Sequence, residues 1–248
     1  MKGIKRALSV LFLVWCFGIF IAAMFLVMPF IILVLALFKD KRGSDIIFFF
    51  LKVWAWIFCI LCAFQVKTRN KLAVKPKKAY VYVCNHSSYL DAIAVVLAIP
   101  GSFKPLGKIE TVKVPVFGLI YRKVVVLIDR ASKESRARSV EELKAGLAKG
   151  QSVLVFPEGT MNQSNKALTD FYDGAFRLAI ETGTPIVPMV IVNARNLLPR
   201  ANPSAARPGR ITCVFEEPIT VKGLVPDDLE SLKSLVYKTM EASIERHS

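Results

Sequence analysis

Histidine is nearly absent from this 248-residue sequence: there are two, and one of them, His247, is next to last. Chain ends fray, which makes His247 a poor place for chemistry. Proton transfer near neutral pH by an ordinary imidazole therefore falls to His86. Cysteine is scarce as well. Three of the five, Cys16, Cys59 and Cys62, lie inside apolar runs, and Cys84 and Cys213 lie in strand-like segments. That is no disulfide framework, and it fits a reducing compartment. Cys59 and Cys62 have redox-pair spacing, but in a lipid-facing helix they read as packing. The sequence has no G-x4-G-K-[ST] loop and no His/Cys group at zinc spacing. It has no G-x-S-x-G elbow, although Ser87 and Ser88 stand beside His86. It has no recognised nucleic-acid motif, no internal repeat and no low-complexity segment. These absences turn the reading away from nucleotide hydrolysis, zinc chemistry, the elbow hydrolases and nucleic-acid binding.

Long uncharged stretches are what the chain has in excess. Apolar residues make up 54% of it, unevenly spread. From Ala7 to Phe38 there are 32 residues without a charge, and from Ile46 to Val66 there are 21 interrupted only by Lys52. Either run is long enough to cross about 30 Å of hydrocarbon as a helix. The first is far longer than the roughly 7–15 apolar residues of a cleaved signal peptide. Pro29 is expected to divide it, because proline removes a helix hydrogen bond.

The net charge is +15, from 34 basic and 19 acidic residues. Seven of those bases and two of those acids precede residue 67, so both the apolar front and the body behind it are basic. Such a surface attracts anionic lipid head groups, at about 1 kcal/mol per basic residue near the membrane. It also attracts anionic substrates such as CoA esters. Basic residues flank both apolar runs and the turn between them, and basic flanks prefer the cytoplasmic side. Two full spans would put the turn outside. A hairpin dipping into one leaflet keeps all three flanks together and is the expected arrangement. The expected location is a membrane, with the body on its cytoplasmic face (the inner membrane in a bacterium).

Two parts follow: residues 1–66 as a membrane-anchoring helical hairpin and 67–248 as a catalytic domain opened by a basic linker, 67–78. Strands are expected over Ala79–Cys84, Lys123–Ile128, Ser152–Phe156, Ile186–Val192 and Ile211–Phe215. Several are continuous apolar runs, which suits strands buried on both faces. Helices are expected over Asp91–Ile99, Ser135–Lys149, Gly174–Glu181 and Asp227–Arg246. The last carries Leu229, Leu232, Leu235, Val236, Met240 and Ile244 on one stripe. The alternation predicts an α/β fold with a mostly parallel central sheet flanked by helices, behind the two-helix hydrophobic anchor.

Two blocks carry chemistry. In Asn85-His86-Ser87-Ser88-Tyr89-Leu90-Asp91, the histidine follows a strand and the aspartate falls near the start of a helix. Sites in open α/β sheets lie at the carboxyl ends of strands. A carboxylate on one ring N–H fixes the tautomer and stabilises the imidazolium. A lone H-x4-D is more often a stabilising pair at a helix start. The second block, Phe156-Pro157-Glu158-Gly159-Thr160, begins 70 residues after His86 and also ends a strand. Its glycine lets backbone approach a ligand, and amides in such a turn can cradle an anion. Alone it would be only a turn; the pair of blocks is more specific.

Together they resemble the glycerophosphate/lysophosphatidate acyltransferase family, over essentially the whole chain. The N-H-x4-D block matches at Asn85, His86 and Asp91, and F-P-E-G-T matches fully at 156–160. A central block matches loosely, with Lys104 and Lys108, a P-x-x-G turn at Pro115 to Gly118, and Ile128-Asp129-Arg130. A fourth matches at Pro185-Ile186-Val187-Pro188. The resemblance implies His86 as general base, oriented by Asp91, in transfer of an acyl chain from acyl-CoA or acyl-carrier protein to a lysophospholipid hydroxyl. Asn85, Lys108, Arg130, Glu158, Gly159 and Thr160 would hold substrate. It implies no metal and no bound cofactor.

One departure bears on the acceptor. Family members that use a phosphate-bearing acceptor usually have arginine directly after F-P-E-G-T; here Met161-Asn162 follow. Arginine's bidentate fork has no equivalent in methionine. Lys108, Arg130, Lys166 and Arg177 are candidate replacements. The first expectation is 1-acyl-glycerol-3-phosphate as acceptor. The alternatives are a phosphate-free lyso-lipid, such as a lyso-aminolipid, and a thioesterase or lipid hydrolase.

Overall fold

The computed structural model describes residues 2–38, 40–75, 78–114 and 117–248. Two long helices open the chain, α1 (Lys2–Leu37) and α2 (Lys41–Leu61). The body then runs β1 (Phe64–Arg69), β2 (Val81–Cys84), α3 (Leu90–Ala98), β3 (Phe103–Lys108), α4 (Phe117–Val124) and β4 (Val126–Ile128). It continues through α5 (Lys133–Ala148), β5 (Ser152–Val155), α6 (Gly174–Thr182), β6 (Ile186–Val192), α7 (Ala194–Leu197), β7 (Gly209–Phe215) and α8 (Leu229–His247).

The strands form one seven-stranded sheet in the order β1-β7-β6-β2-β5-β3-β4. From β6 to β4 all neighbours are parallel. β7 lies antiparallel to β6, and β1 parallel to β7, so the sheet is mixed. Period-2 alternation divides the side chains between two cores. On one face Tyr80, Tyr82 and Cys84 meet α1, α2 and α3; on the other Val81 and Val83 meet α5, α6 and α8. A strand covered on both faces reads as a continuous apolar run, which is why β2 and β6 were predictable.

Several elements differ from the sequence expectation. α1 continues through Pro29 as one 36-residue helix. Residues 64–69 are not the tail of an apolar helix and a linker; they are edge strand β1. Its buried and exposed residues alternate from Phe64 to Arg69, with the charges outward, as suits an edge. β3 was not foreseen because Pro105 and Gly107 disfavour strands. Its pairing changes partner there: Phe103 to Pro105 lie against β5 and Leu106 to Lys108 against β4. The strand expected at Lys123–Ile128 keeps only its last three residues, since Lys123 and Val124 form the end of α4. On α8, Leu232, Val236 and Met240 are buried, but Leu235 is 52% exposed.

The spans Gly3–Leu37 and Lys41–Leu61 are each long and apolar enough to cross a membrane. Leu8, Leu11, Phe17 and Phe25 on α1, with Phe49 and Trp56 on α2, leave a large apolar surface uncovered. A surface of that kind marks membrane association. The inner face of the pair belongs to the body. Phe48 packs on Phe103 and Phe58 on Phe64, with ring centroids 4.6 and 5.8 Å apart. Lys52 Nζ donates to the Ile99 carbonyl, 3.1 Å, and Lys41 Nζ to the Gly150 carbonyl, 2.7 Å.

Candidate active site

The carboxyl ends of β2, β5, β3 and β4 share one edge of the sheet, and both sequence blocks follow strands that end there. The His86 ring donates from Nδ1 to Asp91 Oδ2, 2.9 Å. Asp91 is fully buried in the first turn of α3. The same Oδ2 accepts the Ser87 and Ser88 amides at 2.6 and 2.8 Å. One oxygen thus gathers three N–H donors, while Oδ1 has no partner among the described residues. With the Nδ1 proton engaged, Nε2 is left as the basic nitrogen. Phe156 stacks on the imidazole, centroids 4.2 Å apart and planes 20° apart, which fixes the ring's rotation.

The second block holds the first from behind. Glu158, 4% exposed, accepts the His86 amide on Oε1, 2.8 Å. Its Oε2 accepts the Thr169 amide and hydroxyl at 2.9 and 2.8 Å. The Asn162 amide donates back to the His86 carbonyl, 2.7 Å. Asn85 is also committed to protein: its amide group exchanges two hydrogen bonds with the Ile191 backbone, 3.0 and 2.7 Å. Both side chains were expected to touch substrate, and both are engaged in holding the His86 turn to β6 and to the 156–169 loop.

Gly159 sits at φ +70, with a Tyr172 ring carbon 2.6 Å from where a Cβ would stand. Its own N–H is taken by the Phe156 carbonyl, 3.0 Å, so this amide is not free for an anion. Arg130 lies beside it, Nη1 3.6 Å from that Cβ position. Lys108 ends β3 on the same edge, paired with Glu110 at 3.1 Å. Lys104 lies over α5 near Gly146. Gly118 lies in α4, while Pro115 and Val116 of the P-x-x-G turn fall outside the described residues. Lys166 is exposed on the loop, and Arg177 is exposed on α6, whose buried side packs on the opposite face of the sheet.

Cys84, two residues before the histidine, is no nucleophile: burial first, then the Asp91 charge, pushes its thiol well up. Among the described residues no three His, Cys, Asp or Glu side chains are grouped to hold a metal ion.

The acyltransferase family model matches residues 65–192, from the second residue of β1 to the end of β6. The chain belongs to the acyltransferase family. It is similar to a 1-acyl-sn-glycerol-3-phosphate acyltransferase of Chlamydomonas reinhardtii, 30% identical over 84% of this chain and 62% of that protein. A mouse 1-acyl-sn-glycerol-3-phosphate acyltransferase alpha is 30% identical over 73% of this chain and 64% of its own length. The corresponding Haemophilus influenzae protein is 25% identical over 76% of this chain and 79% of its own. The fold is that of the 1-acyl-sn-glycerophosphate acyltransferase PlsC from Thermotoga maritima: TM-score 0.79 over 99% of this chain and 97% of that one, at 21% identity.

For this family member, sequence reasoning missed Tyr172, Thr169, Arg195 and Arg200 around the second block. Arg195 donates to the Asn162 and Ser164 carbonyls, 2.8 and 2.7 Å, and so ties the 162–164 loop to α7. Arg200 Nη1 reaches the Thr160 hydroxyl at 3.4 Å. No periodicity marks such residues: Thr169 and Tyr172 lie in the irregular loop that the second block opens, and Arg195 and Arg200 come from the stretch between β6 and β7, remote in sequence.

Proposed function

We propose that this protein transfers a fatty acyl chain from acyl-CoA or acyl-carrier protein to the free hydroxyl of 1-acyl-glycerol-3-phosphate, giving phosphatidate. The observation that carries the reading is the His86–Asp91 pair, 2.9 Å apart, clamped against the F-P-E-G-T turn. Relatives named for the same reaction support the acceptor. His86 Nε2 takes the proton of the acceptor hydroxyl as its oxygen attacks the thioester carbonyl. Asp91 stabilises the imidazolium that forms. The tetrahedral intermediate collapses, the carbon–sulfur bond breaks, and the imidazolium returns the proton to the departing thiolate. No enzyme nucleophile takes part, and Ser87 and Ser88 serve the turn through their amides.

The Lys41–Gly150 contact supports a hairpin lying against one leaflet. A turn that touches the catalytic body leaves no room for a bilayer between them. The basic flanks favour the cytoplasmic face for that body. A cysteine at position 41 labelled by an impermeant thiol reagent only from outside would refute both points.

The central test is acyl transfer by detergent-purified protein given labelled acyl-CoA or acyl-carrier protein, with lysophosphatidate and phosphate-free lyso-lipids as acceptors. Lysophosphatidate should be acylated, and His86→Ala should stay folded yet lose activity. A variant that keeps more than a few per cent of wild-type activity would remove His86 as base. Transfer confined to phosphate-free lipids would favour the reading that Met161 brings to mind, a changed acceptor. Free fatty acid release without acceptor would mark a hydrolase.

A further inference from the structure

The turn after β5 carries uncompensated positive charge. Arg130 places a guanidinium nitrogen 3.6 Å from the Cβ position of Gly159, and Arg200 places one 3.4 Å from the hydroxyl of the next residue, Thr160. Neither guanidinium has a carboxylate partner among the described residues. The carboxylate on the turn itself, Glu158, is buried and spent on His86 and Thr169. Both guanidiniums thus stand beside adjacent residues of one turn, and an anion bound at that turn would be attracted by both. Their planar forks match a phosphate.

Arg200 is held there by its backbone. The preceding Leu198 carbonyl accepts the Ser88 hydroxyl, 2.9 Å, which ties the segment to the His86 turn. The Leu197 carbonyl accepts the Arg207 amide, 2.9 Å, closing the loop on α7. The 3₁₀ turn Pro203–Ala205 packs against α1. The segment is therefore anchored at once to the catalytic turn and to the membrane helix, where a lipid acceptor's head group would lie.

We propose that Arg200, with Arg130, binds the phosphate monoester of the acceptor and supplies from the β6–β7 connection the guanidinium that this chain lacks at Met161. The inference rests on the lysophosphatidate reading above. The acyl donor also carries phosphate, so the test reads both substrates.

The experiment uses full-length protein in detergent, with KM measured separately for lysophosphatidate and for the acyl donor. Arg200→Ala is expected to raise the lysophosphatidate KM about 10- to 100-fold, leaving the donor KM and the melting temperature unchanged. Arg200→Lys should fall between, because it keeps the charge and loses the fork. Adding Met161→Arg to Arg200→Ala should restore much of the lost affinity, which a packing role for Arg200 would not allow. An unshifted lysophosphatidate KM in Arg200→Ala, beside an active wild type, would overturn the inference alone. A shift confined to the donor KM would also overturn it, and would assign the guanidinium to the donor's phosphates. Wild-type protein inert toward lysophosphatidate would overturn the acceptor reading, and this inference with it.

Discussion

Replacing Asp91 by Asn tests the proposed mechanism at its most constrained atom. Asp91 Oδ2 holds the Ser87 amide, the Ser88 amide and the His86 ring at 2.6, 2.8 and 2.9 Å. An asparagine oxygen can take over those three bonds, so the turn should survive. What goes is the negative charge opposite the imidazolium. Two unit charges about 4 Å apart, at an effective dielectric of about 20, interact by about 4 kcal/mol. That is roughly a 10³-fold loss in rate, below the roughly 10⁴-fold effect of the same change in a serine-protease triad. The loss should fall on kcat with KM nearly unchanged, because substrate binds before the charge develops. The assay is steady-state transfer from acyl-CoA to lysophosphatidate, beside a thermal melt. A kcat within tenfold of wild type, with an unaltered melt, would refute the electrostatic role. An equal loss in Asp91→Asn and His86→Ala would refute it too, since residual base catalysis by a neutral pair would then be missing.

Two further changes probe the clamp around the histidine. Glu158→Gln presents an amide NH₂ to a site built from N–H and O–H donors, and is expected to cost about 1–3 kcal/mol. That is a melting temperature lower by roughly 2–10 °C in a chain of this size; an unchanged melt would mean the carboxylate does not hold the loop. Gly159→Ala combines a φ of +70 with a Cβ 2.6 Å from the Tyr172 ring. The backbone alone costs roughly 1–2 kcal/mol, and the exposed ring must swing aside. Gly159→Ala should therefore lower the melting temperature; adding Tyr172→Ala should recover only part of that loss, whereas full recovery would place all of the cost in the ring.

The parts of this fold legible in sequence were those whose environment is uniform along the chain. β2, β5 and β6 are covered on both faces and read as apolar runs, and α8 reads from its spacing. β3 was hidden by Pro105 and Gly107, tolerated because the strand changes partner at that point. β1 was hidden because an edge strand alternates charged with apolar residues, and its basic residues looked like a linker. At the site, His86 and Asp91 were legible because residue type, spacing and strand context all agreed. Glu158 and Asn85 were also picked out, but their side chains are taken up by donors and acceptors of the protein itself. A sequence motif marks a residue as needed at a site without saying whether it faces ligand or protein. Arg200 had no motif, and the sequence lists no distance between residues 160 and 200.

The two N-terminal helices raise the question of whether the body can exist without them. Ile47, Phe48, Leu51, Trp54 and Phe58 of α2 are each under a tenth exposed and pack into the same core as α3, Phe64 and Phe103. Burial of such side chains is worth about 1.5–3 kcal/mol each, so these five contribute roughly 8–15 kcal/mol. The net stability of a domain is only about 5–15 kcal/mol. A fragment spanning residues 63–248 is therefore expected not to fold on its own, in contrast to a domain carried on a detachable anchor. Expressed without detergent, it should aggregate or show no cooperative melt. A monodisperse fragment with a sharp thermal transition would show that the sheet face is self-sufficient. The hairpin would then be only a tether, and the coupling between the α1 surface, the 198–206 segment and the His86 turn would lose its physical basis.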